Sequence, residues 1–261
     1  MNLAAARTLL FVPGDRPDRF AKAAAAGADA VVVDLEDAVA PADKEAARAH
    51  AVAWLEAGHE VVVRVNAAGT PWHDADVAAL AGTPLMLPKA ARAEDVARAG
   101  REVVALVETA AGVAAAREVC GVAARVAFGS IDLAAELGVD PASRTALLHA
   151  RSALVLAAAA AGAPPPLDGV TTALDDPEVL ARDTAHAVEL GFTGKLLVHP
   201  RQVAPVHAAL RPSEEDIAWA RRVLAAGGSA GGSAVAVDGR LVDRPVLLRA
   251  RRLLSRAGRT G

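Results

Sequence analysis

Short apolar segments recur along the chain, and an alanine-rich amphipathic stretch follows most of them. The apolar segments are continuous and rich in β-branched residues, a pattern typical of parallel strands that are covered on both faces. The stretches between them have helical spacing, and residues 17–26, 44–57 and 110–119 are examples. Alternation of strand and helix predicts a parallel α/β fold.

The number of repeats decides which parallel fold is expected. Seven strands are clear and an eighth, at residues 167–170, follows a run of three prolines. The other predicted strands are residues 9–12, 30–33, 61–65, 85–87, 103–107, 126–128 and 196–198. Eight repeats would close a TIM (β/α)8 barrel, whereas about six would suit a doubly wound sheet. The barrel is favoured because no glycine-rich dinucleotide fingerprint follows an early strand.

The regular alternation of predicted strands and helices ends after Arg211. Residues 213–226 predict a helix that Ser213 opens, with acidic residues in its first turn. The segment GGSAGGS (227–233) then predicts a flexible loop, residues 234–242 a short strand pair, and the end of the chain a basic helix. We therefore expect a β/α barrel over residues 1–211 and a C-terminal helical and hairpin extension over residues 212–261.

Composition and charge narrow the class of protein. A hydrophobic content of 53% is ample for one large core, while 3% aromatics without tyrosine argues against base-stacking platforms. A net charge of −3 argues against nucleic acid as a partner. The apolar runs are too short to span a bilayer. Cys120 is the only cysteine, so an internal disulfide is impossible and a cytoplasmic location is expected.

Polar side chains follow nearly every predicted strand. In a β/α barrel the carboxyl ends of the strands meet at one rim, where barrel enzymes carry out their chemistry. The strand-end residues are Gly14, Asp15, Arg16, Asp34, Glu36, Asp37, Arg64, Asn66, Lys89, Glu108, Thr109, Ser130, Asp132, His199 and Gln202. Each alone could be a helix cap or a loop charge, but together they predict a polar pocket.

Glu108 and Asp132 are the candidate metal ligands. Two carboxylates from neighbouring strand ends form a hard oxygen site that suits Mg²⁺. No spacing of His and Cys suggests zinc. The alternatives are that Asp132 caps a helix over residues 133–137 and that Glu108 forms a buried salt bridge.

Other charged residues have candidate supporting roles. Arg64 lies in an apolar run, where its charge requires a carboxylate partner from the chain or from a substrate. Lys89 is interpreted in a similar way. A second group could orient the first through salt bridges, namely Asp34, Glu36, Asp37 and Lys44. His199 is interpreted as a wall residue or hydrogen-bond donor, and no G-x-S-x-G elbow supports a hydrolase triad.

Eight motifs in order resemble those of the HpcH/HpaI aldolase and citrate lyase family, particularly citrate lyase β-subunit-like proteins. They are residues 7–15 (RTLLFVPGD), 34–39 (DLEDAV), 63–66 (VRVN), 87–89 (LPK), 108–112 (ETAAG), 128–133 (FGSIDL), 191–202 (GFTGKLLVHPRQ) and 239–247 (GRLVDRPVL). Each motif is weak alone, but the ordered set spans nearly the whole chain. The family includes malyl-CoA and citramalyl-CoA lyases.

The resemblance implies a barrel that binds Mg²⁺ through Glu108 and Asp132. It assigns Arg64 to the substrate's carboxylate or keto oxygen, and Asp243 to acid/base chemistry from a C-terminal segment that closes over a neighbouring subunit's site. A homo-oligomer, often a trimer, is implied. The candidates for the CoA phosphates are Arg16, Arg19 and Lys22, and Lys89 is a further candidate for substrate or CoA binding.

The implied reaction is Mg²⁺-dependent cleavage or formation of a 3-hydroxyacyl-CoA thioester, with acyl-CoA and a 2-oxoacid as the other side of the equilibrium. Thioester hydrolysis could follow. The family often has Gly-Ala-Glu-Asp where this chain has Gly129-Ser130-Ile131-Asp132, which leaves the substrate open. The alternatives are a class II aldolase acting on free hydroxy-oxo acids and a non-catalytic barrel subunit.

Overall fold

The computed structural model describes residues 1–229 and 234–258, and in it eight parallel strands form a closed barrel. The strands follow one another around the barrel in chain order, and β1 pairs with β8. They are β1 Thr8–Pro13, β2 Ala30–Asp34, β3 Val62–Arg64, β4 Leu85–Leu87, β5 Val103–Val107, β6 Arg125–Phe128, β7 Leu167–Asp168 and β8 Gly194–Leu197. The predicted TIM barrel is confirmed, and closure excludes the doubly wound sheet.

Along each strand, one residue points into the barrel and the next faces the surrounding helices, so both sets are buried. This explains why the apolar runs are continuous. The interior cluster includes Leu9, Ala30, Val32, Val62, Met86, Val104, Leu106, Ala127, Leu167 and Leu196. Residues between them, such as Val33 and Val63, are equally buried on the outer face of the strands. At the amino end, Leu3 and Ala6 join the interior cluster.

Helices connect the strands. They are α1 Phe20–Ala24, α2 Lys44–Glu56, α3 His73–Ala79, α4 Ala93–Arg98, α5 Ala110–Ala114, α6 Ala116–Val122, α7 Ser130–Leu137, α8 Arg144–Ala160, α9 Pro177–Leu190, α10 Val203–Ala209, α11 Glu214–Ser229 and α12 Arg244–Ala257. The predicted helix 17–26 begins as a 3₁₀ turn, Pro17–Arg19. The predicted helix 110–119 is interrupted at Ala115. None of the helices within the described ranges is both long and apolar enough to cross a membrane.

The chain divides into two compact units, Met1–His207 and Ala208–Gly261, so the predicted boundary after residue 211 lies four residues further on. The second unit packs α11 and α12 around Ala220, Val223, Val242 and Ala250. An antiparallel hairpin joins these helices, with β9 at Val235–Val237 and β10 at Arg240–Val242.

The predicted loop at 227–233 is wrong where it can be compared. Gly227, Gly228 and the backbone of Ser229 continue α11, and the remaining residues lie outside the described ranges. A Cβ on Gly227 would lie 2.4 Å from Leu247 Cδ2. This glycine therefore lets the two helices approach closely, a packing role that resembles a loop signal in the sequence.

Candidate active site at the carboxyl end of the barrel

Four charged side chains from three neighbouring strands form what we term the mouth network: Asp34, Glu36, Arg64 and Lys89. Arg64 donates from Nε and Nη2 to the two carboxylate oxygens of Asp34, at 2.7 and 2.6 Å. Its Nη1 lies 3.1 Å from Glu36 Oε2, and Lys89 Nζ donates to Glu36 Oε1 at 2.5 Å. Asp34 thus orients the guanidinium through a two-pronged contact that lysine could not replace.

Arg64 is buried at the end of β3, and its charge is held there by carboxylates. Burial alone would lower the pKa of Arg64, but the hydrogen bonds with Asp34 and the charges of Asp34 and Glu36 raise it. The guanidinium carbon also lies 4.9 Å from the centre of the Phe11 ring. Arg64 is therefore a fixed positive charge inside the barrel mouth.

Glu108, at the end of β5, is a buried carboxylate in an acidic environment. Its Oε1 accepts a hydrogen bond of 2.9 Å from the backbone N–H of Lys89. Burial and the nearby charges of Asp132 and Glu36 raise the pKa of Glu108 to about 8, against the opposing effect of Arg64. Among the described residues Glu108 forms no salt bridge, so that alternative is not supported, and its direct partner is a neutral amide.

Asp132 lies in the first turn of α7, which follows β6. Gly129, not Asp132, occupies the helix N-cap, so the alternative of a capping role is wrong. Within the described ranges the Asp132 carboxylate makes no hydrogen bond or ion pair. One turn further along the same face, Glu136 Oε2 accepts a hydrogen bond of 3.0 Å from Ala110 N, at the start of α5. This contact turns the acidic face of α7 towards the strand end that carries Glu108.

The two carboxylates fit a hard cation. Burial first, and the like charge of Asp132 second, raise the pKa of Glu108, and a bound cation would favour the ionised forms of both carboxylates. Nowhere in the described part of the chain do three or more His, Cys, Asp or Glu side chains form a metal cluster. A donor set of two carboxylates suits Mg²⁺, which retains several water ligands.

Comparison with known proteins identifies the family. The sequence profile of the HpcH/HpaI aldolase/citrate lyase family matches residues 7–200. The chain belongs to this family. It is 46% identical to a citrate lyase subunit beta-like protein of Mycobacterium tuberculosis over 271 residues, covering 99% of this chain and 98% of that protein. A (3S)-malyl-CoA thioesterase of Cereibacter sphaeroides is 35% identical over 268 residues, covering 96% and 94% of the two chains.

A solved family member has a similar structure throughout. The crystal structure of CitE from Mycobacterium tuberculosis in complex with magnesium, acetoacetate and coenzyme A matches 98% of this chain and 100% of that chain. The TM-score is 0.88 at 44% identity. The predicted resemblance to this family is confirmed.

Two of the residues that were predicted to support the site of this protein, Lys44 and Asp37, differ in burial. Lys44 is buried and donates to the backbone oxygens of Leu35 and Glu36, both at 2.9 Å. It therefore fixes the loop that carries the mouth network. Asp37 is exposed on that loop.

The three predicted CoA-phosphate ligands follow β1. Arg16 forms two hydrogen bonds with Asp18, at 2.9 and 2.8 Å, so this cation is already paired on the surface. Arg19 and Lys22 are exposed. Their role towards CoA stays a prediction.

Two further predicted positions have local structural roles. Asp243 lies in the second unit, where its carboxylate caps α12 by accepting from Val246 N at 3.3 Å. His199 caps a 3₁₀ turn, accepting from Arg201 N through Nδ1 at 3.1 Å, and its expected role as a wall residue or hydrogen-bond donor stays a prediction. Where this chain has Ser130 and Ile131 in place of the Ala-Glu that is frequent in the family, Ser130 is buried whereas Ile131 is exposed.

Three residues of the site were not singled out from the sequence. Asp76 is fully buried and accepts from Arg48 Nε and from the backbone N–H and the side-chain amide of Asn66, which fixes the end of β3. Gly129 is required because a Cβ there would lie 2.2 Å from Glu108 Cβ. Glu136 is four residues after Asp132, and that helical spacing could have identified it.

Proposed function

We propose that this protein is a Mg²⁺-dependent carbon–carbon lyase that cleaves or forms a 3-hydroxyacyl-CoA thioester, with acyl-CoA and a 2-oxoacid on the other side of the equilibrium. The observation that carries this proposal is the meeting of Glu108 and Asp132 with the fixed guanidinium of Arg64 at one end of the barrel. The relative crystallised with magnesium, acetoacetate and coenzyme A supports the metal and the CoA ligand, and relatives crystallised with magnesium and oxaloacetate or pyruvate support a 2-oxoacid.

Glu108 and Asp132 would hold the metal. The N–H of Lys89 orients one oxygen of Glu108, and Gly129 allows the carboxylate to lie against the adjoining strand. Bound Mg²⁺ would supply a Lewis acid for the carboxylate and carbonyl of the oxoacid.

Arg64 would bind the oxygen on which negative charge develops. Its two hydrogen bonds to Asp34 use two of the five N–H groups of a guanidinium and Nη1 also faces Glu36, which leaves N–H groups that can donate to a substrate oxygen. Because Asp34 and Glu36 fix the group beforehand, little reorganisation accompanies the reaction.

Cleavage requires two proton movements. The hydroxyl of the substrate loses its proton to a water molecule and becomes the carbonyl of the oxoacid, while the electron pair of the broken C–C bond moves to the α-carbon of the thioester, which takes up a proton. Asp243, carried by the C-terminal segment of a neighbouring subunit in a homo-oligomer, would give the α-carbon its proton. Arg16, Arg19 and Lys22 would bind the CoA phosphates, for which Arg16 must exchange its partner Asp18.

The test is release of free 2-oxoacid from malyl-CoA and citramalyl-CoA, with and without Mg²⁺. We expect oxoacid and acyl-CoA in equal amounts, and no release with EDTA. Glu118→Gln, which neutralises an exposed carboxylate on α6, is the control for Glu108→Gln and should retain activity. No release from a panel of thioesters would favour a non-catalytic subunit, and activity on unesterified aldols alone would favour a class II aldolase.

Thioester hydrolysis is a second candidate, because the chain is 35% identical to a (3S)-malyl-CoA thioesterase over nearly its whole length. The two reactions leave different products. Hydrolysis releases the CoA thiol and a free hydroxy acid, whereas cleavage releases an oxoacid and keeps the acyl thioester. A thiol reagent and an oxoacid assay on the same sample distinguish them.

A further inference from the structure

Lys89 has an unusual backbone conformation. Its φ is +52°, in the left-handed region that a residue with a Cβ seldom adopts. Elsewhere in the described ranges positive φ is found at glycines and at Asp238, which lies in the tight turn of the β9–β10 hairpin. Glycine would adopt this conformation more easily, so the lysine side chain requires another explanation.

Packing holds the backbone of Lys89 in this conformation. Its N–H donates to Glu108 Oε1, and the next N–H, of Ala90, donates to Leu106 O at 3.0 Å. The Ala90 carbonyl lies so close to α5 that a Cβ on Gly112 would be 2.6 Å from it. The left-handed turn therefore directs an amide at the carboxylate of Glu108.

The side chain of Lys89 reaches a second carboxylate. Its ammonium group donates to Glu36 Oε1 at 2.5 Å, and the other oxygen of Glu36 lies 3.1 Å from Arg64 Nη1. The Glu36 side chain is only 6% exposed, whereas that of Lys89 is 41% exposed. The lysine thus extends from the rim to a buried acid that contacts the guanidinium.

We propose that Lys89 is a positioning residue of the active site: its amide orients Glu108, and its ammonium group fixes Glu36 and through it Arg64. This inference rests on the proposed function. One strained residue thereby connects the candidate metal side of the mouth to the guanidinium side, which explains why lysine is retained where glycine would fit the backbone better.

The pair Lys89→Ala and Lys89→Gly tests the proposal. Both variants keep the amide and remove the ammonium group, but only glycine relieves the positive φ. Lys89→Gly should therefore unfold about 2–4 °C above Lys89→Ala. We expect kcat to fall about 10- to 100-fold in both, as for other residues that orient site groups, with KM changing less than kcat. The dissociation constant for Mg²⁺, measured by calorimetry without substrate, should stay within about threefold because the amide remains.

Two more variants exclude a merely structural role. Lys89→Arg keeps a cation near Glu36 and should recover about tenfold of the kcat lost in Lys89→Ala. Arg92→Ala removes an exposed cation three residues further along the chain and should behave as wild type.

Failure of the positioning role of Lys89 can be distinguished from failure of the proposed function. Activity that follows stability, with Lys89→Gly as active as wild type, would overturn the positioning role alone. The same holds if Lys89→Arg is as impaired as Lys89→Ala. A wild-type protein that neither binds Mg²⁺ nor cleaves any thioester would overturn the proposed function and this inference together.

Discussion

Two charge networks in the barrel differ in their balance of acidic and basic side chains. In the mouth network the cations Arg64 and Lys89 face Asp34 and Glu36, with Glu108 close by. A second network, which we term the wall network, comprises Arg151 on α8, Asp168 on β7 and Lys195 on β8. Arg151 Nε donates to Asp168 Oδ1 at 2.8 Å, and Lys195 Nζ lies 3.6 Å from Asp168 Oδ2.

The difference lies in which sign is in excess. At the mouth, burial and neighbouring acids raise the pKa of Glu108. In the wall, two cations share one carboxylate, burial lowers the pKa of Lys195, and its ammonium group donates to Gly169 O at 2.6 Å. A buried excess of acid is relieved by a bound cation, whereas donors that end on backbone oxygens stabilise the fold. We therefore expect the mouth to serve function and the wall to serve stability.

The largest effect should come from Asp132→Ala. The carboxylate of Asp132 has no hydrogen-bond or ion-pair partner in the described ranges, so its loss should leave the fold intact. Turnover should fall by at least about 1000-fold, because the Lewis acid loses one of two protein ligands. Steady-state kinetics and Mg²⁺ calorimetry measure the effect. Full activity of the variant, or of wild type in EDTA, would contradict the metal site.

Asp168→Asn should lower stability and leave activity unchanged, which is the reverse of what we expect for Asp132→Ala. It leaves Arg151 and Lys195 buried without their carboxylate, which should lower the free energy of unfolding by about 3 kcal/mol in urea titrations. The kcat of the folded protein should stay near that of wild type. As a control, Asp175→Asn removes an exposed partner of Arg201 and should change little. Loss of activity without loss of stability would contradict the assignment of the wall to structure.

The barrel and the main site residues could be predicted because both depend on local sequence. Strands buried on both faces leave continuous apolar runs, and residues that follow them must lie at one rim. Arg64, Glu108 and Asp132 were found in this way. The family motifs added the predictions for Asp243 and for the reaction, and both stay predictions.

The features that could not be predicted from the sequence depend on contacts between distant residues or on backbone dihedral angles. The pairing of Arg64 with Asp34, thirty positions away, has no local signal. The positive φ of Lys89 is imposed by packing, and lysine gives no indication of it. Gly227 was predicted as loop because glycine has the same appearance in a flexible segment and in a close helix contact.

Asp243→Asn sharpens the comparison by removing the proposed acid/base group, which belongs to neither network. Asparagine caps a helix about as well as aspartate, so α12 should keep its stability. We expect kcat to fall about 10- to 100-fold while the Mg²⁺ dissociation constant is unchanged. Asp238→Asn, which neutralises another carboxylate of the same unit in a conformation that asparagine tolerates, is the control. A variant with the kcat of wild type would remove Asp243 from the mechanism.

Glu108→Gln tests whether the acid excess at the mouth has a cost in stability. In metal-free protein the folded state keeps the Glu108 proton up to about pH 8, whereas the unfolded chain loses it near the ordinary pKa of 4.5. The free energy of unfolding of wild type should therefore fall, relative to the variant, as pH rises between these values, by about 5 kcal/mol in total.

Glutamine does not titrate, and its oxygen can still accept from Lys89 N. The stability difference should vanish near pH 4 and be largest above pH 8. Because Mg²⁺ favours the ionised carboxylate, adding it should stabilise wild type and not the variant. Urea titrations across this pH range measure both effects. A difference that does not vary with pH would mean that Glu108 ionises normally, and the mouth would then differ from the wall in position only.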